Sequence, residues 1–410
     1  MHISFTSADS TILDGDDSFL AQLLWSRLKP DTWPFSLAQL PAGTALVGGS
    51  VRDGLLNRLQ EKPDLDLVVP NNAIKISQDF AKELDATFVV LDADRDMARV
   101  VLKGWTIDIA KQIGFDLEED LWRRDFRINA IALTLGPSPE IFDPTGGIQD
   151  LHQKKLVAVR EKNFFEDPLR TLRGMRFIGE LNLSLDPQTR TFINTYAGLL
   201  LKVAPERIQS EVQRIVCAEH ADDAIELTKE IGLLDFWGNQ DESYLSTLLP
   251  WNNHNFLKNK ELSVALPLVR LTHLLSDAGL ESLRFSKRQQ QRCKLLRKWQ
   301  KCNDGNDFET LNEGDRLQLH KDLEEDLPAL ILQLSAKNQE VWINRWRDFK
   351  DPLFHPSSPV DGHTLQDIFD LPQGPKLGAL MNHLSHEKAF DRLQTLEETL
   401  KEARHWLQHN

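Results

Sequence analysis

The stretches Leu46-Val47-Gly48-Gly49-Ser50-Val51-Arg52-Asp53 and Asp64-Leu65-Asp66-Leu67-Val68-Val69, with thirteen residues between Ser50 and Asp64, decide the fold class. A glycine pair makes a turn whose backbone can approach a ligand closely, because no Cβ intervenes. N–H groups bared at such a turn, beside Arg52, suit a polyphosphate. The second stretch has the pattern of a short buried strand. Side chains alternate along a strand, so Asp64 and Asp66 share one face while Leu65 and Leu67 pack on the other. Two carboxylates that close repel each other unless a cation lies between them, and an oxygen-only ligand set suits Mg²⁺. Taken singly, the stretches have plainer meanings, a tight turn and a solvated strand end. Together they describe a phosphate cradle beside a metal site.

The whole chain bounds what surrounds that site. Its 410 residues exceed one compact core and predict two to four domains. A hydrophobic share of 41% and a charged share of 27% are those of an ordinary globular chain. No apolar run reaches membrane-spanning length, and Met1–Ser7 lacks the basic and apolar regions of a secretory signal. Cys217, Cys293 and Cys302 are too few and too scattered for a disulfide framework or a zinc site. These features predict a reducing, cytoplasmic setting with no membrane and no evident protein partner. The net charge of −14 disfavours non-specific coating of nucleic acid, but leaves room for a local basic surface.

Along the chain, residues 13–40 predict a short helix and a turn before a first strand near Thr44–Val47. Gly54–Leu59 is expected to continue a helix out of the glycine turn, and Asn72–Leu84 has helical periodicity. Three strand-like runs follow, Thr87–Leu91, Met97–Leu102 and Trp105–Ala110. The β-rich pattern lasts to about residue 135, where Gly136-Pro137-Ser138-Pro139 breaks it. Beyond Asp150 strand signals nearly vanish and helical periodicity continues to the end. The expected fold is α+β: a mixed α/β head with a short sheet, then an all-helical neck, body and tail.

The paired stretches resemble the signature of the DNA polymerase β-like nucleotidyltransferase superfamily, some of whose members supply a third carboxylate where Asp108 stands. A buried or edge-strand aspartate is the alternative there. Three further stretches narrow the resemblance: Arg123-Arg124-Asp125-Phe126-Arg127-Ile128-Asn129-Ala130, Phe142-Asp143-Pro144-Thr145-Gly146-Gly147-Ile148-Gln149-Asp150-Leu151, and Glu166-Asp167-Pro168-Leu169-Arg170-Thr171-Leu172-Arg173-Gly174-Met175-Arg176-Phe177. In this order they are similar to the motifs of the bacterial class II tRNA nucleotidyltransferase and poly(A) polymerase family, closely over residues 45–180 and more weakly beyond. The resemblance implies template-independent extension of a tRNA 3′ end from CTP and ATP, with Mg²⁺ as cofactor. It implies a head over residues 1–150, a neck over 151–225, a body over 226–350 and a tRNA-binding tail over 351–410. Carried over residue by residue, Asp64 and Asp66 would hold Mg²⁺, and Gly49 and Arg52 would contact the triphosphate. Arg124 and Asn129 would contact sugar and phosphates, with Asp125 orienting the arginines. Asp143 and the Gly146-Gly147 turn would join head to neck. Arg127 stands where the family usually has threonine, Asn57 where glycine is common and Val157 where arginine often follows the leucine.

Asp167, Arg170, Arg173 and Arg176 recur every three residues, so on one helix they form a single polar stripe, with Pro168 suited to its first turn. A solvated face with i,i+3 ion pairs is the plain meaning. The sharper one is chemical. A carboxylate accepts from an exocyclic amino group while a guanidinium donates to a ring nitrogen. Cytosine and adenine both offer that pattern, and uracil and guanine the opposite one. The resemblance assigns this template-like role to Asp167 and Arg170, leaving Arg173 and Arg176 to bind triphosphate or to hold the helix.

The helical remainder has one strongly basic run. Residues 284–301 contain eight Lys or Arg and no acid, so Arg284, Lys287, Arg288, Arg292, Lys294 and Lys298 are candidates for a phosphate-backbone track. The alternative is an exposed basic helix without a ligand. Gly374 and Gly378 bracket a helix start that could receive a phosphate or be an inter-helix turn. No paired His-Asp of a phosphohydrolase domain is found. Family members that add the full CCA carry a mobile segment between the acidic strand and the Arg-Arg-Asp motif. Here Val69–Arg123 is compact, which favours CC addition. The expected activity is CCA addition, with CC-only or A-only addition, poly(A) synthesis and an inactive RNA-binding scaffold as its alternatives.

Overall fold

The computed structural model describes residues 13, 15–136, 138–238, 256–301 and 308–410. Pro137, Cys302 and Met1–Ser7 lie outside the described residues. The chain divides into two compact units, one of Met1–Val203 with Glu219–Leu233, the other of Ala204–Ala218 with Leu234–Asn410.

The first unit is built on a seven-stranded sheet. Its strands are β1 (Ala45–Val47), β2 (Leu65–Val69), β3 (Thr87–Asp92), β4 (Met97–Leu102), β5 (Trp105–Lys111), β6 (Ala132–Thr134) and β7 (Ile141–Phe142), in the order β3-β4-β5-β2-β1-β6-β7. Only β2 and β5 run parallel; every other pair is antiparallel. Leu65, Leu67, Ile107, Ile109, Ala98 and Val100 are buried, while Asp66 and Asp108 between them are half-buried. The period of two assigns these sets to opposite faces. The amphipathic helix Ala73–Leu84 packs on β3, β4 and β5 through Phe80 and Ala81. On the acidic face, Val47, Val68 and Ala132 form a cluster with Leu121, Ala130 and Val159.

The sequence expectations for Asn72–Leu84 and the three strand-like runs match within a residue. Two expectations need correction. The helix leaving the glycine turn is Gly49–Leu55, and it stops where Gly54–Leu59 was to continue it; Asn57 has φ 53°, a left-handed conformation that ends the helix. Past residue 150, Lys155–Leu156 and Ser184–Leu185 pair as a short parallel ladder in an otherwise helical stretch.

The second unit is helical. Pro205–Cys217 packs on Asn259–Leu274, which in turn packs on Lys287–Lys301 and Leu327–Ile331. Val360, Leu365, Leu377, Leu380, Leu384 and Ala403 close a small C-terminal core. Cys217 and Cys293 are free thiols. No helix among the described residues is long and apolar enough to cross a membrane.

Within this unit His320 is buried against Phe354 and Trp342, with ring centroids 4.1 and 5.5 Å away. Burial, with Arg345 nearby, depresses its pKa from 6.5 to about 3. A depressed pKa means the unfolded chain takes up the proton first, so stability is full above pH 6.5 and is lost as pH falls towards 3. Between pH 7.5 and pH 5 the loss is expected to be about 2 kcal/mol. Denaturant midpoints across that range check it, and His320→Phe should flatten the acid limb.

Candidate active site

The glycine turn and the acidic strand are tied together by one side chain. Ser50, buried at the start of Gly49–Leu55, donates its hydroxyl to the Asp64 carbonyl. Gly48 precedes that helix with φ 76° and ψ −134°, a backbone state that needs glycine. A Cβ there would stand 3.1 Å from Asp66 Oδ2 and 3.3 Å from Arg124 Nη1. The turn therefore brings bare backbone against a carboxylate and a guanidinium at once.

Register places the charges in a row. Val47 pairs with Asp66, Asp66 with Asp108, and Asp108 with Arg99, so these side chains share one face of four adjacent strands. Arg99 clasps Asp108 through Nε and Nη2 at 2.7 and 2.8 Å. Asp64 is exposed and lies one residue before β2. Burial pushes the Asp66 carboxyl up to about 6; Arg124 opposes that shift, while Asp108 and Asp64 add to it. A half-buried carboxylate facing two others is short of positive charge, the condition a divalent cation relieves. Among the described residues no group of three or more His, Cys, Asp or Glu side chains is arranged to hold a metal. Two aspartates fit Mg²⁺ nonetheless, since that ion keeps waters and completes its shell with substrate phosphates.

A buried network surrounds this row. Asp125, 5% exposed, accepts from Arg173 Nε at 2.7 Å, Asn129 Nδ2 at 3.1 Å and the Phe126 N–H at 2.8 Å. Burial alone would raise its pKa, but Arg173, Asn129 and the Phe126 N–H hold it well below the usual carboxylate range. Asn129 in turn accepts from Arg52 Nη1 at 2.7 Å, and Arg52 grips Asp53 with Nε and Nη2. Arg124 reaches Asp120 at 3.1 Å and leaves its buried Nε without a hydrogen-bond partner among the described residues.

Phe126 docks the next helix, Arg170–Leu181, onto this network. Its ring meets Phe164 and Phe177 edge-on at 5.8 Å each, and Gly174 leaves the room: a Cβ there would lie 3.0 Å from Phe126. The helix begins at Arg170, so Asp167 and Pro168 lie in the turn before it, a correction to the single-helix stripe. Asp167 is extended (φ −141°) and accepts from the Leu169 N–H at 3.3 Å. Pro168 lacks the N–H that would let the preceding helix run on. Arg170 has a buried Nη1 with no hydrogen-bond partner among the described residues; burial lowers its pKa while Asp125 and Asp167 oppose that. Arg173 and Arg176 lie 5.5 and 4.2 Å from the Phe177 ring centroid, with Arg52 at 5.2 Å. Arg176 is buried and pairs with Glu180, a geometry that suits holding the helix. Asp143 accepts from the N–H groups of Gly146, Gly147 and Ile148, capping the helix Gly147–His152.

In the second unit the basic run is divided. Arg292 binds Asp326 through two bonds, Lys298 binds Asp322, and buried Arg297 binds Asp277 and the carbonyls of Thr272 and Leu275. These are struts. Arg284 with Glu206, Lys287 with Glu281 and Arg288 with Glu325 are exposed pairs, which solvent and salt screen. Lys294 is exposed and has no ion pair among the described residues. An acid-free run in sequence thus meets its acids from neighbouring helices, which sequence spacing did not reveal.

A glycine turn feeding a helix, an acidic strand and a mixed sheet together make up the candidate site of the first unit. Residues 44–113 and 110–157 match the family described as the poly A polymerase head domain, and residues 182–237 match the probable RNA and SrmB-binding site of polymerase A. Over these residues the chain is similar to the tRNA nucleotidyltransferase and poly(A) polymerase family. It is 42% identical over 204 residues to the CC-adding tRNA nucleotidyltransferase of Synechocystis, covering 50% of this chain and 49% of that protein. It is 28% identical to the CCA-adding enzyme of Streptococcus thermophilus over 78% of this chain and 86% of that one. The match spans about half the length of the first curated relatives. The Thermotoga maritima CCA-adding enzyme complexed with tRNA shares the fold at TM-score 0.70 and 20% identity, over 96% of this chain and 99% of that one.

Proposed function

We propose that this chain transfers nucleotides from CTP and ATP to the 3′ end of tRNA, releasing pyrophosphate. The observation that carries the reading is the Gly48 cradle, which sets bare backbone against Asp66 and Arg124. The terminal hydroxyl of the RNA attacks the α-phosphate in line; a P–O bond to it forms as the bond to pyrophosphate breaks. Mg²⁺ held by Asp64 and Asp66 would neutralise the triphosphate and acidify the attacking hydroxyl. Gly49, Arg52, Arg124 and Asn129 receive triphosphate and sugar, and Arg173, fixed by Asp125, adds positive charge beside Asp66. Relatives named for CC, A and CCA addition, and solved structures of CCA-adding enzyme with CTP and with ATP, support the substrate class. Arg284, Lys287, Arg288 and Lys294 are the basic residues most open to RNA phosphates, since weak exposed pairs exchange readily.

Asp167 and Arg170 select the base in this reading. Arg170 offers a buried donor with no partner among the described residues, and Asp167 stands beside it. Asp167→Ala is expected to erode the preference for CTP and ATP over UTP and GTP by about tenfold or more, one lost base-edge contact. Misincorporation assays with single nucleotides check it; unchanged selectivity refutes the role.

Addition of CC alone is a second reading with its own observation. The β3–β4 turn is short and pinned: Asp96 accepts from the N–H groups of Ala73 and Ile74, and Asp92 from those of Asp94 and Arg95. No spare segment is left there to swing between nucleotides. Incubation with Mg²⁺ and tRNA transcripts lacking CCA, ending in CC, or complete separates the outcomes. Three additions to the first establish CCA synthesis and arrest after two cytidines the CC enzyme. A long adenylate ladder on unrelated RNA would mean a poly(A) polymerase, and binding without addition a scaffold.

A further inference from the structure

We infer that Arg99 is a positioning residue that withholds Asp108 from the cation site, leaving a two-carboxylate centre that fills only when a triphosphate brings further ligands and charge. This rests on the reading of Asp64 and Asp66 as cation ligands. Register alone would make Asp108 a third ligand, because it stands beside Asp66 on the parallel neighbouring strand. Its other neighbour in the row is Arg99, and the two form a bidentate pair. That geometry directs both carboxylate oxygens to the guanidinium, a fork that matches carboxylate spacing and holds it.

Two observations agree with this. Asp108 keeps only 13% of its side chain exposed, so it cannot readily turn outward to serve both partners. Asp64, Asp66 and Asp108 also do not converge as a three-ligand group among the described residues. Arg99 acts in a second way. Its positive charge, one strand beyond Asp108, opposes a free cation arriving at Asp66. Nucleoside triphosphate reverses the balance, since its phosphates supply negative charge and oxygen ligands at the same place. The cation therefore binds weakly to the free protein and enters with the nucleotide.

Mn²⁺ binding to the nucleotide-free full chain, followed by electron paramagnetic resonance, tests the inference without reference to activity. Arg99→Met is expected to bind Mn²⁺ about tenfold more tightly than the unaltered protein. The double variant Arg99→Met/Asp108→Asn removes both charges together and leaves no unpaired partner, so it should stay within about threefold of the unaltered protein. Unchanged or weaker binding by folded Arg99→Met overturns the inference. So does a tenfold or greater loss in the double variant, which would make Asp108 a ligand. Should Arg99→Met fail to fold, judged by circular dichroism, the double variant decides alone. Asp66→Asn is the control: Mn²⁺ binding that ignores it in every variant would overturn the cation reading of Asp64 and Asp66 itself.

Discussion

Asp66→Asn is expected to abolish nucleotide addition, by about a thousandfold or more, and at the same time to make the protein melt at a higher temperature in the absence of divalent cations. The first effect follows if Asp66 shares the cation with Asp64, since such a centre supplies several kcal/mol of charge stabilisation. The second follows from the environment of the carboxyl. Burial raises its pKa from 3.8 to about 6, with Arg124 opposing and Asp108 and Asp64 adding to the rise. A raised carboxyl pKa means the ionised form is disfavoured on folding, so the penalty begins above pH 3.8 and is complete above pH 6. At neutral pH it is of order 1–3 kcal/mol, and an isosteric amide removes it. Primer extension in chelexed buffer with added Mg²⁺ measures the activity, and melting in chelator measures the stability. Retained turnover would sink the cation assignment. Equal or lower melting would show that the carboxylate costs the fold nothing. A filter-binding assay should find tRNA affinity little changed, separating chemistry from docking.

Asp125→Asn is expected to act oppositely on the fold, lowering stability by about 3 kcal/mol and nucleotide addition with it. Asp125 is buried and takes the Arg173 guanidinium, the Asn129 amide and the Phe126 N–H together. Removing one member of a buried pair leaves the other charge uncompensated. The value sits at the low end of that class because Arg173 keeps a third of its side chain in solvent. The loss spreads by contact: Asn129 holds Arg52, and Arg52 holds Asp53. Arg173→Met added to Asp125→Asn should recover part of the stability without restoring addition. Recovery of both would mean that the network only holds the fold. Denaturant titration beside single-turnover addition distinguishes the two results.

Much of the head was legible in the chain because short-range rules govern it. Period-two burial placed Leu65 and Leu67 opposite Asp66, and turn chemistry marked the glycine pair. What escaped depended on residues distant in sequence. The Ser50 hydroxyl bonds a carbonyl fourteen residues on, and Gly174 matters because Phe126 lies against it. Asp120, four residues before Arg124, had a helical-spacing signal that could have found it. Arg99 had none: an arginine in a strand gains meaning only from the strand beside it.

The basic run at 284–301 shows the same limit from the other side. Composition identified the charges, yet Glu206, Glu281, Asp322, Glu325 and Asp326 answer most of them from elsewhere in the chain.

The sequence by itself determined the strand runs of the head, the acidic strand and the glycine turn, because periodicity and turn preference are local properties of a backbone. Tertiary structure alone decided that Asp167 precedes its helix, that Asp108 is held by Arg99 and that Arg292 and Lys298 are struts. Those outcomes depend on which side chains the fold sets within hydrogen-bonding reach, and electrostatic pairing at about 3 Å is a property of space rather than of order along the chain.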